Sequence, residues 1–157
     1  MLREKQTHTS LGKSSSTRSK HAGMMAHTDI IGPMAELSID GCQYVLTIVD
    51  DFSRLVTCVP IVKKSDATNV LIQYFNWLER QSSMKIQRLR TDGAGELGIK
   101  GYCGTHGVER QFTIRGTSEM NGVAERANRT ILEKARSMLY SCPLERCTWS
   151  YAVRYVH

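Results

Sequence analysis

No two cysteines of this chain stand at Cys-x-x-Cys spacing, and their number is odd: Cys42, Cys58, Cys103, Cys142 and Cys147. That pattern excludes a closed disulfide framework and a zinc knuckle, and it fits free thiols in a reducing compartment. The five histidines do not gather at metal-ligand spacing either, so no zinc is expected. No apolar run approaches a membrane span, and the N-terminus lacks the apolar core of a signal peptide. A soluble, non-secreted protein without a membrane partner is expected. Internal repeats are absent. So are a local Ser-His-Asp or Cys-His motif and a phosphate-cradling glycine loop after a strand; Gly93-x-Gly95 is too short for nucleotide binding.

What is present suits one domain. At 157 residues, 41% hydrophobic and 23% charged, the chain can bury a core but not two comfortable ones. Its net charge is +6, which favours a polyanionic partner. The charge is uneven. Residues 1–22 carry Arg3, Lys5, Lys13, Arg18 and Lys20 against Glu4 alone, which leaves 16 basic and 14 acidic residues for the rest. This Ser/Thr/Lys-rich, aperiodic stretch reads as a flexible basic arm, with the domain spanning 23–157.

Periodicity then sets out the elements. "MMAHTDII" reads as a strand closed by Gly32-Pro33, and "QYVLTIV" (Gln43–Val49) as a central strand apolar on both faces. The turn "DDFS" leads to "LVTCVPIV" (Leu55–Val62), where Pro60 points to a sheet edge, so the pair forms a hairpin. Ser65 is the expected cap of a helix over Asp66–Gln81, whose Ala67, Val70, Leu71, Tyr74, Trp77 and Leu78 recur with helical period. "KIQRLRT" (Lys85–Thr91) and "VERQFTI" (Val108–Ile114) are further strands. Gly93 to Gly107, with six glycines, should be largely loop. A helix follows from about Asn121 to Tyr140, Pro143 breaks the chain, and a short helix lies around Trp149–Val156. The order predicts an α/β layer architecture with a mixed sheet.

Three acids sit where acids are costly or unusual. Asp29 lies inside an apolar strand, Asp92 ends another, and Glu125 opens a helix otherwise rich in Arg126, Arg129, Lys134 and Arg136. Taken singly, each has a plain explanation: a strand-end cap, an Asp-Gly turn, and a carboxylate favouring the helix dipole or pairing Arg129 at i+4. Brought to one sheet edge, they would repel unless a divalent cation neutralised them. Hard cations such as Mg²⁺ or Mn²⁺ accept a few carboxylates and leave sites for water and phosphate oxygens. Two such ions serve phosphodiester chemistry.

Four blocks bring in a family. "HTDIIGPM", "YVLTIVDDFSR", "LRTDGAGE" and "NGVAERANRTILEKARSML" resemble, in order, the segments of the integrase catalytic core of copia-type long-terminal-repeat retrotransposons, relatives of retroviral integrases within the ribonuclease-H-like superfamily. "LGKSSSTRS" is similar to the linker after that family's zinc-binding module. The resemblance covers roughly residues 11–157. It implies a ribonuclease-H-like fold with a mixed five-stranded sheet flanked by helices, and Asp29, Asp92 and Glu125 as catalytic, metal-binding acids. It further implies a two-metal Mg²⁺ or Mn²⁺ site, element-end and target DNA as partners, a homo-oligomeric assembly, and work in the nucleus or cytoplasmic particles. Two departures stand out. Thirty-two residues separate Asp92 from Glu125, fewer than usual, with the shortfall expected between Leu97 and Tyr102, where the family has a short helix. The approach to the last helix, "TIRGTSEMNG", lacks the usual prolines and glutamines. The chain also stops inside the closing helix, as a truncated core would.

On a helical projection Ala124, Ala127, Ile131, Ala135 and Met138 form the buried stripe, with Glu125, Arg129 and Arg136 together along one border. Arg129 and Arg136 are therefore expected to hold phosphates beside the carboxylates, and Asn121 and Asn128 complete the expected nucleic-acid contacts. Among rival acids, Glu119 is the substitute for Glu125. Asp50 and Asp51 are expected to cap the hairpin turn with Arg54, and Glu96 to stand outside the ligand set. Three functions compete: a metal-dependent polynucleotidyl transferase that trims and joins DNA 3′ ends, a catalytically inactive nucleic-acid-binding fragment, and a ribonuclease-H-like nuclease.

Overall fold

In the computed structural model, residues 18–92, 98–113, 122–142 and 144–156 are described. Five strands form one sheet in the order β3-β2-β1-β4-β5: β1 Met25–Ile31, β2 Tyr44–Asp50, β3 Val56–Ile61, β4 Arg88–Asp92 and β5 Glu109–Thr113. β1 pairs β2 and β2 pairs β3 antiparallel, whereas β4 lies parallel to β1 and to β5. The mixed sheet is as expected. Pro60 lies on β3, an edge strand, where its missing N–H costs least.

Because side chains alternate across a strand, register assigns them to faces. Ala26, Leu46, Ile48 and Leu89 share one face and pack with Ala67, Leu71 and Phe75 of α1 (Asp66–Ser82). The opposite face carries His27, Asp29, Ile31, Val45, Thr47 and Val49, as the pairs His27↔Val49 and Asp29↔Thr47 require. Helix α3 (Gly122–Ser141) and helix α4 (Trp149–Tyr155), which follows a 3-10 turn at Arg146–Thr148, cover the antiparallel part of that face. Their Ile131, Ala135, Trp149, Ala152 and Val153 meet Val45 and Cys58 there.

The β1–β2 connection ties α4 down. Asp40 accepts hydrogen bonds from Ser38 at 2.5 Å and Ser150 at 2.7 Å, and pairs with Arg154 at 2.8 Å. The Ser38 and Ser150 hydroxyls, with Arg154, hold the Asp40 carboxyl at about 2. Trp149 donates its indole N–H to the Glu36 carbonyl at 3.0 Å. Gly32 opens this connection at φ +124, and a Cβ there would stand 2.8 Å from the Gln43 carbonyl oxygen. Only glycine fits.

Three local expectations are corrected. Ser65 makes no side-chain cap; its backbone is already helical, and Asp66 instead accepts the Lys63 N–H at 2.9 Å. The glycine-rich stretch contains a helix, α2 (Lys100–His106), in place of the expected loop. It forms because Ile99 and Cys103 are buried in the α1-side core, while Tyr102 donates to Asn76 at 3.1 Å. Gly107, at φ +68, then supplies the left-handed C-terminal cap. At the N-terminus, Arg18 and Ser19 are held on the β2–β3 turn. Arg18 donates to the Phe52 carbonyl and lies over the Phe52 ring, and the Ser19 N–H donates to Asp51 at 2.6 Å. Residues 1–17 of the expected arm lie outside the described residues.

Candidate active site

β1 lies at the centre of the sheet, so a polar residue on it must find partners. Asp29 sits on the α3 side, half-buried. One carboxylate oxygen accepts the Ile30 N–H at 2.9 Å, and the other accepts the Asn128 side-chain N–H at 2.7 Å. Asp92 ends β4, the parallel neighbour of β1, so its strand delivers it beside Asp29. Glu125 lies in the first turn of α3, three residues before Asn128 on the same helix. The elements that carry the three acids therefore meet at one edge of the β1–β4 seam.

Electrostatics reports the convergence. Burial raises the Asp29 pKa above the ordinary carboxylate value, and the charges of Asp92 and Glu125 raise it further. The Ile30 and Asn128 hydrogen bonds oppose the rise without overcoming it. Among the described residues, no three His, Cys, Asp or Glu side chains are gathered closely enough to hold a metal ion as they stand. The donor chemistry nevertheless fits a hard divalent cation: three carboxylates, two of them raising the pKa of the third.

A buried polar network lies behind this edge. His27, two residues before Asp29 and on the same face, is fully buried, and its Nε2 meets Asp51 at 3.1 Å. Burial lowers the His27 pKa against the pull of Asp51. Asp51 also accepts the Ser19 N–H and pairs with Arg54 at 3.1 Å. Burial pushes the Asp51 carboxyl up, but its hydrogen bonds from Ser19 and His27 prevail and hold it low. Asp50 caps the turn, accepting the Ser53 N–H and hydroxyl at 2.7 Å each. The expected cap is thus Asp50, and Asp51, though paired with Arg54 as expected, faces inward.

The remaining candidates divide. Arg129 and Arg136 are exposed on α3, and among the described residues Arg129 forms no ion pair with Glu125. Four residues along a helix is about 6 Å and eleven about 16 Å, so Arg129 neighbours Glu125 while Arg136 lies three turns away. Arg136 instead borders a cavity with Met34, Leu139 and Trp149. Asn128, expected to face nucleic acid, is buried and directed at Asp29. Position 128 lies about 40° round the helix from Ala124, on the side toward Glu125, at the margin of the buried stripe. Asn121, Glu119 and Glu96 lie outside the described residues.

A search of family models gives no match. The chain is 40% identical over 146 residues, 90% of its length, to the retrovirus-related Pol polyprotein from transposon TNT 1-94 of Nicotiana tabacum. It is 30% identical over 117 residues, 74% of its length, to the corresponding polyprotein from transposon RE2 of Arabidopsis thaliana. The chain is homologous to a segment of the Pol polyproteins of plant copia-type transposons. That segment spans 11% and 8% of the two relatives. The fold agrees. The integrase catalytic core domain of HTLV-2, solved in complex with magnesium in a trimeric form, superposes with a TM-score of 0.61 at 16% identity, over 87% of this chain and 86% of the other. The fold of this copia-type segment is therefore that of an integrase catalytic core.

Proposed function

We propose that the chain is the catalytic core of a polynucleotidyl transferase that trims DNA 3′ ends and joins them to target DNA. The observation that carries this reading is the Asp29 carboxyl, held on the central strand by Asn128 while the charges of Asp92 and Glu125 bear on it. Homology to transposon Pol polyproteins and the integrase-core fold support it.

In the first step water attacks a phosphodiester near the element end. A bond forms from water oxygen to phosphorus, the bond to the 3′-oxygen breaks, and that oxygen leaves as a hydroxyl. In the second, this 3′-hydroxyl attacks a target phosphodiester and displaces the target's own 3′-oxygen, so one ester replaces another. Asp29, Asp92 and Glu125 would hold divalent Mg²⁺ or Mn²⁺, which when bound as a pair activates the attacking oxygen and stabilises the leaving one. Asn128 fixes the orientation of Asp29. Arg129, one turn from Glu125, meets a phosphate beside the acids, and Arg136 meets one farther along the duplex. The assembly is a homo-oligomer, as the trimeric HTLV-2 core suggests by analogy, and it works where its target DNA lies, in the nucleus.

Strand-transfer assays with the purified chain and duplexes carrying the element's ends test this reading. Joined products are expected, and Asp29→Asn, Asp92→Asn and Glu125→Gln should each abolish them while the fold survives. Duplex binding without product under Mg²⁺ and Mn²⁺ would instead establish the non-catalytic binding module.

A further inference from the structure

Two grooves flank α3, and they differ in charge. The first, against the β1–β2 connection and α4, mixes signs: Glu36 stands on its border with Arg136 and Arg146, and Arg146 lies 4.0 Å from Glu36. The second runs between α3 and the β2–β3 turn as an open groove of about 570 Å³. Its floor is apolar, from Val49, Val56, Val123, Ile131 and Val156, with Leu55 at its mouth. Its rim carries Arg54, Arg126 and Lys134, and no carboxylate lines it among the described residues.

The rim is ordered. Arg126, Thr130 and Lys134 follow one another at i, i+4 and i+8, so they form a single line along α3. Arg54 faces that line from the turn, where its backbone adopts φ +64 and Asp51 holds its guanidinium at 3.1 Å. Arg126 lies about 100° round the helix from Glu125 and about 60° from Arg129, and the line through Thr130 and Lys134 turns progressively away from that border. Leu55 is 60% exposed at the mouth of the groove. A concave apolar floor open to water marks an interaction surface.

We propose that this groove docks an acidic amphipathic segment of a partner protein, its apolar side chains on the floor and its carboxylates against Arg54, Arg126 and Lys134. Complementarity selects this occupant. A DNA backbone would satisfy the cations but would leave the floor unused, since phosphates gain nothing from Leu55, Val123 or Val156. An apolar helix without acids would fill the floor and leave two uncompensated cations, Arg126 and Lys134, at its flanks. Only a segment with both features uses the whole surface, in the manner of a helix laid in a groove. The docking is independent of the catalytic reading and holds for an inactive chain as well.

The probe is a fluorescein-labelled helical peptide with leucines at i, i+3, i+4 and i+7 and glutamates beside them, titrated with the full chain and read by anisotropy. Saturable binding is expected, weakened about tenfold or more by the pair Arg126→Glu and Lys134→Glu, a loss of the size one strong contact carries. Leu55→Ser should weaken it too while leaving affinity for a duplex DNA probe unchanged. A peptide with lysines in place of glutamates should bind the charge-reversed chain in preference to the native one. Arg146→Glu, in the other groove, should change nothing. Leu55 and Lys134 are exposed, so Leu55→Ser and Lys134→Glu alone keep the test decisive if Arg126→Glu unfolds the chain. Non-saturating peptide binding, or binding indifferent to Lys134→Glu and Leu55→Ser, would overturn the proposal. Loss of duplex affinity in Leu55→Ser would assign the groove to DNA and overturn it as well.

Discussion

The two faces of the sheet meet the same constraint in opposite ways. On the α1 side, Ala26, Leu46, Ile48 and Leu89 are all but inaccessible to water and touch an apolar helix face. On the α3 side, His27 and Thr47 are just as thoroughly enclosed, Asn128 is buried somewhat less, and Asp29 stands half-buried among them. Burying polar groups costs free energy unless each finds a partner. His27 Nδ1 and Asn128 Oδ1 find none among the described residues. The first face is built for stability. The second accepts a lower stability to hold a carboxylate at a fixed place, and substitutions should separate the two.

The largest effect belongs to the apolar face. Leu89→Ala should cost about 2–5 kcal/mol of stability, read from denaturant midpoints, through lost burial and the cavity left behind. Any strand transfer it loses should return at low temperature, where the fold is restored. On the polar face, Asn128→Ala strips a donor from the Asp29 carboxylate and should cost about 1–3 kcal/mol. Its activity should fall further than that instability explains, since Asp29 is then free to turn. Equal losses of stability and activity would reduce Asn128 to a packing residue.

Asp29→Asn should have the opposite sign. A carboxyl whose folded pKa lies above its unfolded value weighs against the fold once ionised. Below the ordinary value of 3.8 both states are protonated and the penalty is absent. It grows as pH rises through that value and levels off above the folded pKa. The variant should therefore match the native chain in acid and exceed its stability near neutrality, in chelator. Asp51, held low, drives the native chain the other way, so the difference between the two proteins is the quantity to measure. A difference that does not change with pH would mean that Asp29 is not burdened by its neighbours.

Smallest in stability are the α3 arginines. Arg129→Ala should shift it by no more than about 0.5 kcal/mol, because Arg129 makes no ion pair with Glu125 among the described residues. Its duplex affinity should fall, with the salt slope reduced by about one phosphate contact. Arg136→Ala should weaken duplexes long enough to reach three turns along α3 and spare shorter ones. Equal effects on every length would place both arginines on one phosphate.

The two faces also differ in how far they could be read from the sequence. The hairpin, α1 and α3 were legible because alternation and helical period repeat over enough residues to outvote exceptions. Helix α2 was not, because Gly101, Gly104 and Gly107 read as loop; the burial of Ile99 and Cys103 overrides that weak local preference. Motif order led to the expectation that Asp29, Asp92 and Glu125 share one seam, and the charges of Asp92 and Glu125 bear on Asp29. The inward turn of Asn128 and the His27–Asp51 link depend on which helix covers which face, and no local pattern in the sequence carries that information.

Calorimetric titration of Mn²⁺ and Mg²⁺ into the native chain and into Asp29→Asn, Asp92→Asn, Glu125→Gln and Glu119→Gln tests the central claim most directly. Saturable binding is predicted for the native chain and Glu119→Gln, and its loss in each of the other three. Binding that persists through all four substitutions, or that vanishes in Glu119→Gln and survives in Glu125→Gln, would contradict the account.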